Sequence, residues 1–174
     1  ALAQCGAMDA VLDIMPAAAE QVAGEITSAG GQAIPVQADV LDKGSLQAAV
    51  RAVDAAFGRI DILINGAGGA KKEATTSETL SFFYLPEEAV RCVFDLNMMG
   101  TFLPCQVFGR YMVDHGGGSI LNISSMAAAR PLTKSVAYSA AKAAVANFTQ
   151  WLAVHISQEY SSCIRVNALM PGFF

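Results

Sequence analysis

The sequence predicts a doubly wound α/β domain, a parallel sheet carrying helices on both faces in a three-layer α/β/α arrangement. Three observations point there. Short apolar runs alternate with helical stretches at regular intervals along the 174 residues. Several of those runs are apolar on both faces, whereas a sheet covered on one side only would show strict alternation. Glycine and proline stand at the joints between successive elements.

Residues 8–13 (MDAVLD) are a short strand ending in a carboxylate. Residues 16–29 follow as a helix, with Pro16 in its first turn and Gly30-Gly31 at its end. Residues 33–38 (AIPVQA) form the next strand, and Pro35, which cannot donate to a ladder, assigns it to an edge. Residues 43–57 make a helix closed by Gly58, and residues 60–64 (IDILI) a strand running straight into Asn65-Gly66-Ala67-Gly68-Gly69. A polar, irregular segment spans residues 70–85. The long helix after it, residues 87–115, is interrupted near Gly100 or Pro104 and stops at Gly116-Gly117-Gly118. Residues 119–123 are a strand leading to Ser124, Ser125 and a loop through Pro131. A helix over 137–159 and a strand over 164–169 complete the series before Met170-Pro171-Gly172.

With no internal repeat or low-complexity tract, residues 1–174 read as one domain, incomplete at both ends. Ala1 to Gly6 has the pattern of a helix's last turn and its glycine cap. A strand, a glycine-rich turn and the rest of that helix are therefore expected before it. Beyond Phe173-Phe174 a substrate-covering segment and a further strand are expected.

Composition narrows the function. Hydrophobic residues make up 53% of the chain, with alanine prominent, which signals closely packed helices. No apolar run approaches the roughly 18 residues of a membrane span, so no membrane partner is expected. The net charge is -4, with 15 acidic and 11 basic residues, which argues against a nucleic-acid partner. Cys5, Cys92, Cys105 and Cys163 form no CxxC pair, and His115 and His155 lie at no metal-like spacing. These residues read as packing groups in a reducing, cytoplasmic compartment, with no metal.

The chemistry gathers in the second half. Tyr138 and Lys142 are four residues apart on a helix and share a face. A phenol is a poor acid or base near neutrality, but an adjacent ammonium stabilises its ionised form. It can then exchange a proton with a carbonyl or alcohol oxygen. The Tyr-x-x-x-Lys spacing alone arises often by chance, so its neighbours matter. Ser125 follows a strand at the carboxyl end, where open α/β sheets bind ligands, and its hydroxyl can donate to a developing oxyanion. Asn97 interrupts the apolar stretch Leu96-Asn97-Met98-Met99-Gly100; it is either a satisfied buried amide at a helix kink or the organiser of a water chain behind the lysine.

These residues together resemble the short-chain dehydrogenase/reductase family, over nearly the whole chain. The resemblance implies a Rossmann-like fold and a catalytic set of Asn97, Ser125, Tyr138 and Lys142. It also implies a cofactor site drawn from Asp13, Ile14, Asp39, Val40, Asn65, Gly66, Ala67, Gly68, Tyr138, Lys142, Pro171 and Gly172. The family's Asn-Asn-Ala-Gly motif stands here as Asn65-Gly66-Ala67-Gly68, and its closing Pro-Gly as Pro171-Gly172. Asp13, at the end of its strand, suits the ribose diol of NAD(H) and opposes the phosphate of NADP(H), and Ile14 supplies no basic residue for that phosphate. Asp39-Val40 matches the family's adenine-side position. Both aspartates equally suit helix N-caps.

Segments around Gly66–Gly69, Ala74–Thr76, Phe94–Asn97 and Asn147–His155 resemble the subgroup of D-mannonate oxidoreductases and fructuronate reductases. A small sugar-acid substrate is the implied one; a reductase of another small ketone or of an oxoacyl thioester shares most of the same residues. A nucleotide-binding scaffold without turnover is the alternative of another class. Arg130 and Lys134 can hold an anionic substrate or simply face solvent. The apolar excess on helices 87–115 and 137–159, and the family's habit of pairing through them, imply a homo-oligomer, a tetramer built from dimers.

Overall fold

The computed structural model describes residues 1–172; the Phe173-Phe174 terminus lies outside the described residues. Two compact units, residues 1–60 and residues 61–172, each have their own strands and core. Each unit holds parallel strands and flanking helices, the elements of a Rossmann-like three-layer α/β/α fold.

In the first unit a 3-10 turn, Ala3–Cys5, ends on Gly6 and leads into β1 (Met8–Asp13). Helix α1 (Pro16–Ser28) then crosses to β2 (Gln32–Gln37), which runs parallel to β1 with Met8 opposite Gln32 and Asp13 opposite Gln37. Pro35 lies opposite Val11 in a strand whose only partner among the described residues is β1, as its missing N–H requires. Helix α2 (Lys43–Phe57) follows and ends at Gly58, whose N–H donates to the Asp54 carbonyl. Ala19 and Ala23 on α1 and Leu46, Ala49 and Val53 on α2 are buried. Their spacing of three and four residues forms one stripe per helix, the pattern that packs on a sheet.

The second unit sets β3 (Ile62–Asn65), β4 (Gly118–Ile123) and β5 (Ile164–Leu169) side by side, all parallel, with β4 in the centre. Asn65 lies directly opposite Asn122. The segment after β3 is irregular, as expected, apart from short 3-10 turns at Lys72–Ala74 and Phe82–Tyr84. The long helix divides into α3 (Glu87–Phe94), a π-helical turn (Asp95–Met99) and α4 (Gly100–Asp114). The interruption thus falls just before Gly100. Pro104 cannot donate to the Gly100 carbonyl, and the wider π turn upstream is where the helix leaves regular geometry. Helix α4 closes through Gly117, whose N–H reaches the Met112 carbonyl at 2.9 Å. A Cβ on Gly117 would stand 2.7 Å from the Cys163 carbonyl oxygen, so only glycine lets these chains pass. Helix α5 (Val136–Glu159) packs on β4 and β5 and against α3.

Candidate active site

Three elements of the second unit deliver its polar groups to one place. The first is the exit of β4. Strand geometry sends successive side chains to opposite faces, and the two serines there part company. Ser124 borders the cleft but is buried, and its hydroxyl donates to the Lys142 carbonyl at 2.8 Å. Ser125 lines an open cleft of about 300 Å³, and its oxygen accepts from the Ala127 N–H at 3.1 Å. That acceptor role leaves the Ser125 O–H to donate elsewhere.

The second element is α5. Tyr138 and Lys142 both line the cleft, and the Lys142 ammonium lies 5.7 Å from the centre of the Tyr138 ring. Only 4% of Lys142 is exposed, and its ammonium donates to the Ile123 carbonyl at 2.7 Å. Burial pushes the lysine pKa below its ordinary value, because a charge withdrawn from water is less stable. The third element is the pair of turns holding Gly66, Gly68, Pro171 and Gly172, whose glycines leave the same wall free of side chains at those points. The Met126 N–H donates to the Pro171 carbonyl at 3.0 Å and ties the Pro-Gly turn to the loop after Ser125.

Asn97 sits fully buried behind this wall, in the π turn. Its amide donates to the Gly69 and Val93 carbonyls, both at 2.8 Å, and its oxygen accepts from the Gly69 N–H at 3.1 Å. The side chain therefore grips the glycine turn as a second backbone would. Both amide hydrogens are spent on carbonyls, so the buried-amide reading is realised, and one oxygen lone pair is left for any water. The close approach also explains Gly68: a Cβ there would stand 2.6 Å from the Asn97 oxygen and 3.1 Å from the Lys142 nitrogen.

Two residues expected at the cofactor site, Asn65 and Ala67, are not among those lining the cleft. The Asn65 side chain turns into the core, donating to the Asn122 oxygen at 2.8 Å and to the Cys105 sulfur at 3.2 Å. Asn122 in turn donates to the Thr149 hydroxyl at 2.9 Å, and Thr149 to the Val145 carbonyl at 2.7 Å. Burial pushes the Cys105 thiol up to about 12, so it keeps its proton and donates toward Asn122. This chain of amides and hydroxyls links the ends of β3 and β4 to α5. Sequence reasoning missed it, together with the cleft-lining Met126 and Leu132. The available signal was Asn122 itself, a polar residue inside an apolar strand, where only a buried partner justifies it.

In the first unit, Asp13 is half-buried at the carboxyl end of β1, and one of its oxygens accepts from the Met15 N–H at 2.8 Å. It shapes the turn before α1, whose N-cap position belongs to Met15. Ile14 is 60% exposed. The N-cap expected as one role for Asp39 belongs instead to Asp42, whose carboxylate accepts from the Gly44 N–H at 2.7 Å. Asp39 makes a tight turn with the Leu41 N–H at 2.8 Å, and Val40 beside it is half-buried.

A family model described as short chain dehydrogenase matches residues 1–174. An uncharacterized oxidoreductase of Bacillus subtilis, UxuB, is 44% identical over 99% of this chain and 64% of its own length. D-threitol dehydrogenase of Mycolicibacterium smegmatis is 37% identical over 98% of this chain and 62% of its own. A crystal structure from Haemophilus influenzae, provisionally described as a D-mannonate oxidoreductase with bound NAD, superposes with a TM-score of 0.92. It is 44% identical, over 99% of this chain and 64% of that one. The chain spans a little under two thirds of the length of the curated relatives it matches.

Proposed function

The chain belongs to the short-chain dehydrogenase family, and from that premise we propose that it is the catalytic part of an NAD(H)-dependent oxidoreductase. It interconverts a carbonyl and a secondary alcohol on a small sugar acid of the fructuronate or mannonate kind. The observation that carries this reading is the convergence of Ser125, Tyr138 and Lys142 on one cleft walled by glycine backbone.

Each unit has residues suited to part of a dinucleotide. In the second unit the cleft wall at Gly66 and Gly68 offers peptide groups with no side chain in the way; in the first, Asp13 at the end of β1 is a carboxylate suited to a ribose diol and adverse to a ribose phosphate. When bound, the nicotinamide supplies or accepts the hydride. The protein's own work is to orient and to move a proton. Tyr138 gives its hydroxyl proton to the carbonyl oxygen in reduction and takes it back in oxidation. Ser125, oriented by the Ala127 N–H, donates to the same oxygen as charge gathers there. Lys142, held by the Ile123 carbonyl, presents its remaining N–H groups to a ribose and its charge to the phenol.

The sugar-acid assignment is supported by the sequence match through Gly66–His155 and by the relative described as a D-mannonate oxidoreductase with bound NAD. In the intact protein, D-fructuronate should be reduced much faster than a neutral ketose of similar size. NADH should exceed NADPH in kcat/KM by about tenfold, the cost of one ill-placed charge. Absorbance of the reduced nicotinamide follows both. Turnover confined to neutral ketones removes the sugar acid, and equal use of NADPH removes the role of Asp13.

The same reading includes a reducing, cytoplasmic setting, supported by four unpaired cysteines. No helix among the described residues is long and apolar enough to cross a membrane. It also includes a homo-oligomer, a tetramer built from dimers, through helices 87–115 and 137–159. On the outer side of α5, Trp151 and Val154 are 54% and 57% exposed, and Trp151 stacks on His155 at 4.6 Å. Aromatic surface of this kind is enriched where proteins associate. Light scattering at micromolar concentration should return a multiple of the protomer mass; a monomer would defeat the helix-pairing argument.

A further inference from the structure

We propose that Arg130 and Lys134 bind the substrate's carboxylate and make this site select a keto acid over a neutral ketone. The inference rests on the reductase reading above and adds the residues that choose its substrate.

Charge is distributed unevenly along the chain. Residues 116–158 contain Arg130, Lys134 and Lys142 and no aspartate or glutamate, in a protein of net charge -4. Ser125 and Tyr138 belong to this same stretch. Two arginines elsewhere are paired, Arg91 with Glu87 and Arg110 with Asp114 at 2.9 Å. Among the described residues, no ion pair engages Arg130 or Lys134. Lys142 is not the carboxylate's partner in this reading, because one of its donors is held by the Ile123 carbonyl and the others serve the ribose beside the phenol.

Both cations sit on a loop that is tied down rather than loose. The Arg130 N–H donates to the Met126 carbonyl at 2.9 Å, and the Leu132 N–H to the Ser139 hydroxyl at 3.1 Å. The Thr76 N–H and hydroxyl both donate to the Lys134 carbonyl, at 3.0 and 3.2 Å. Leu132 lines the cleft, so each cation is two residues from the wall, at most about 7 Å along the chain. Thr76 also brings in the segment holding Lys71 and Lys72, which adds two positive charges against Glu73. An arginine fork matches a carboxylate with two parallel hydrogen bonds, and the lysine adds a point charge.

The test compares D-fructuronate with D-fructose, at saturating NADH, in the intact protein and its Arg130→Gln, Lys134→Gln and double variants. Glutamine keeps the loop's backbone bonds and much of each side chain's reach. Each single change should raise KM for the keto acid about tenfold, the loss of one charge-assisted bond, and the double change further. The kcat for the keto acid, KM for NADH and activity on fructose should stay within about threefold, and added salt should raise the keto-acid KM of the wild type more than that of the double variant. A double variant whose keto-acid KM stays within twofold overturns the proposal and leaves the sugar-acid reading standing. Loss of fructose activity alongside would mean a structural role and overturn it as well. A wild type without preference for the keto acid defeats the sugar-acid reading itself.

Discussion

Tyr138→Phe in the intact protein should lower kcat by about 10³-fold, the usual worth of a positioned general acid, and leave cofactor affinity nearly unchanged. Tyr138 packs against the buried cluster of Ala74, Ala89, Val93, Ala137 and Ala141, and phenylalanine keeps that packing. The change removes one hydroxyl from an open cleft, so no cavity forms, and thermal stability should move by no more than about 0.5 kcal/mol. Single-turnover kinetics beside a melting curve separates the two effects. Retention of more than a tenth of the activity would mean that another group delivers the proton. Ser125 is the group to try next, since its hydroxyl faces the same cleft.

Asn122→Leu is expected to be the most damaging single change to stability. Asn122 is fully buried and stands at the centre of the relay from Asn65 and Cys105 to Thr149. Leucine is close in volume but accepts and donates nothing. It leaves the Asn65 amide with only the Cys105 sulfur and deprives Thr149 of its incoming donor. Leaving buried polar groups short of partners costs about 1–3 kcal/mol apiece, so a loss of about 2–4 kcal/mol follows. For a chain of this size that lowers Tm by roughly 5–15 °C. Urea unfolding and calorimetry would measure it. Wild-type stability in the variant would mean that Asn65 and Thr149 find each other without help. The Asn65→Ala single and double variants would then show no coupling with Asn122.

The two experiments probe parts of the protein that differ in how openly the sequence declares them. Tyr138 and Lys142 were legible because helix geometry alone puts residues four apart on one face. Helix 43–57 and strand 8–13 were legible to the residue, since local periodicity and Gly58 or Asp13 mark their ends. The break in the long helix was legible from Gly100 and Pro104, although its π geometry was not. The cap of helix 43–57 was harder, because the sequence suits Asp39 to it and the structure gives the place to Asp42. The choice depended on which carboxylate met the Gly44 N–H.

What the sequence by itself determined is therefore what repeats at short range: the alternation of parallel strands and helices, the shared face of Tyr138 and Lys142, and the charge imbalance of residues 116–158. The tertiary structure alone decided that the Ser124 hydroxyl is committed to the Lys142 carbonyl, that Asn97 grips Gly69, and that Asn65 turns inward to Asn122 fifty-seven residues away. Those outcomes rest on strand register and on contacts between distant segments. Their energies come from satisfying buried polar groups, a condition met only once the partners have been brought together.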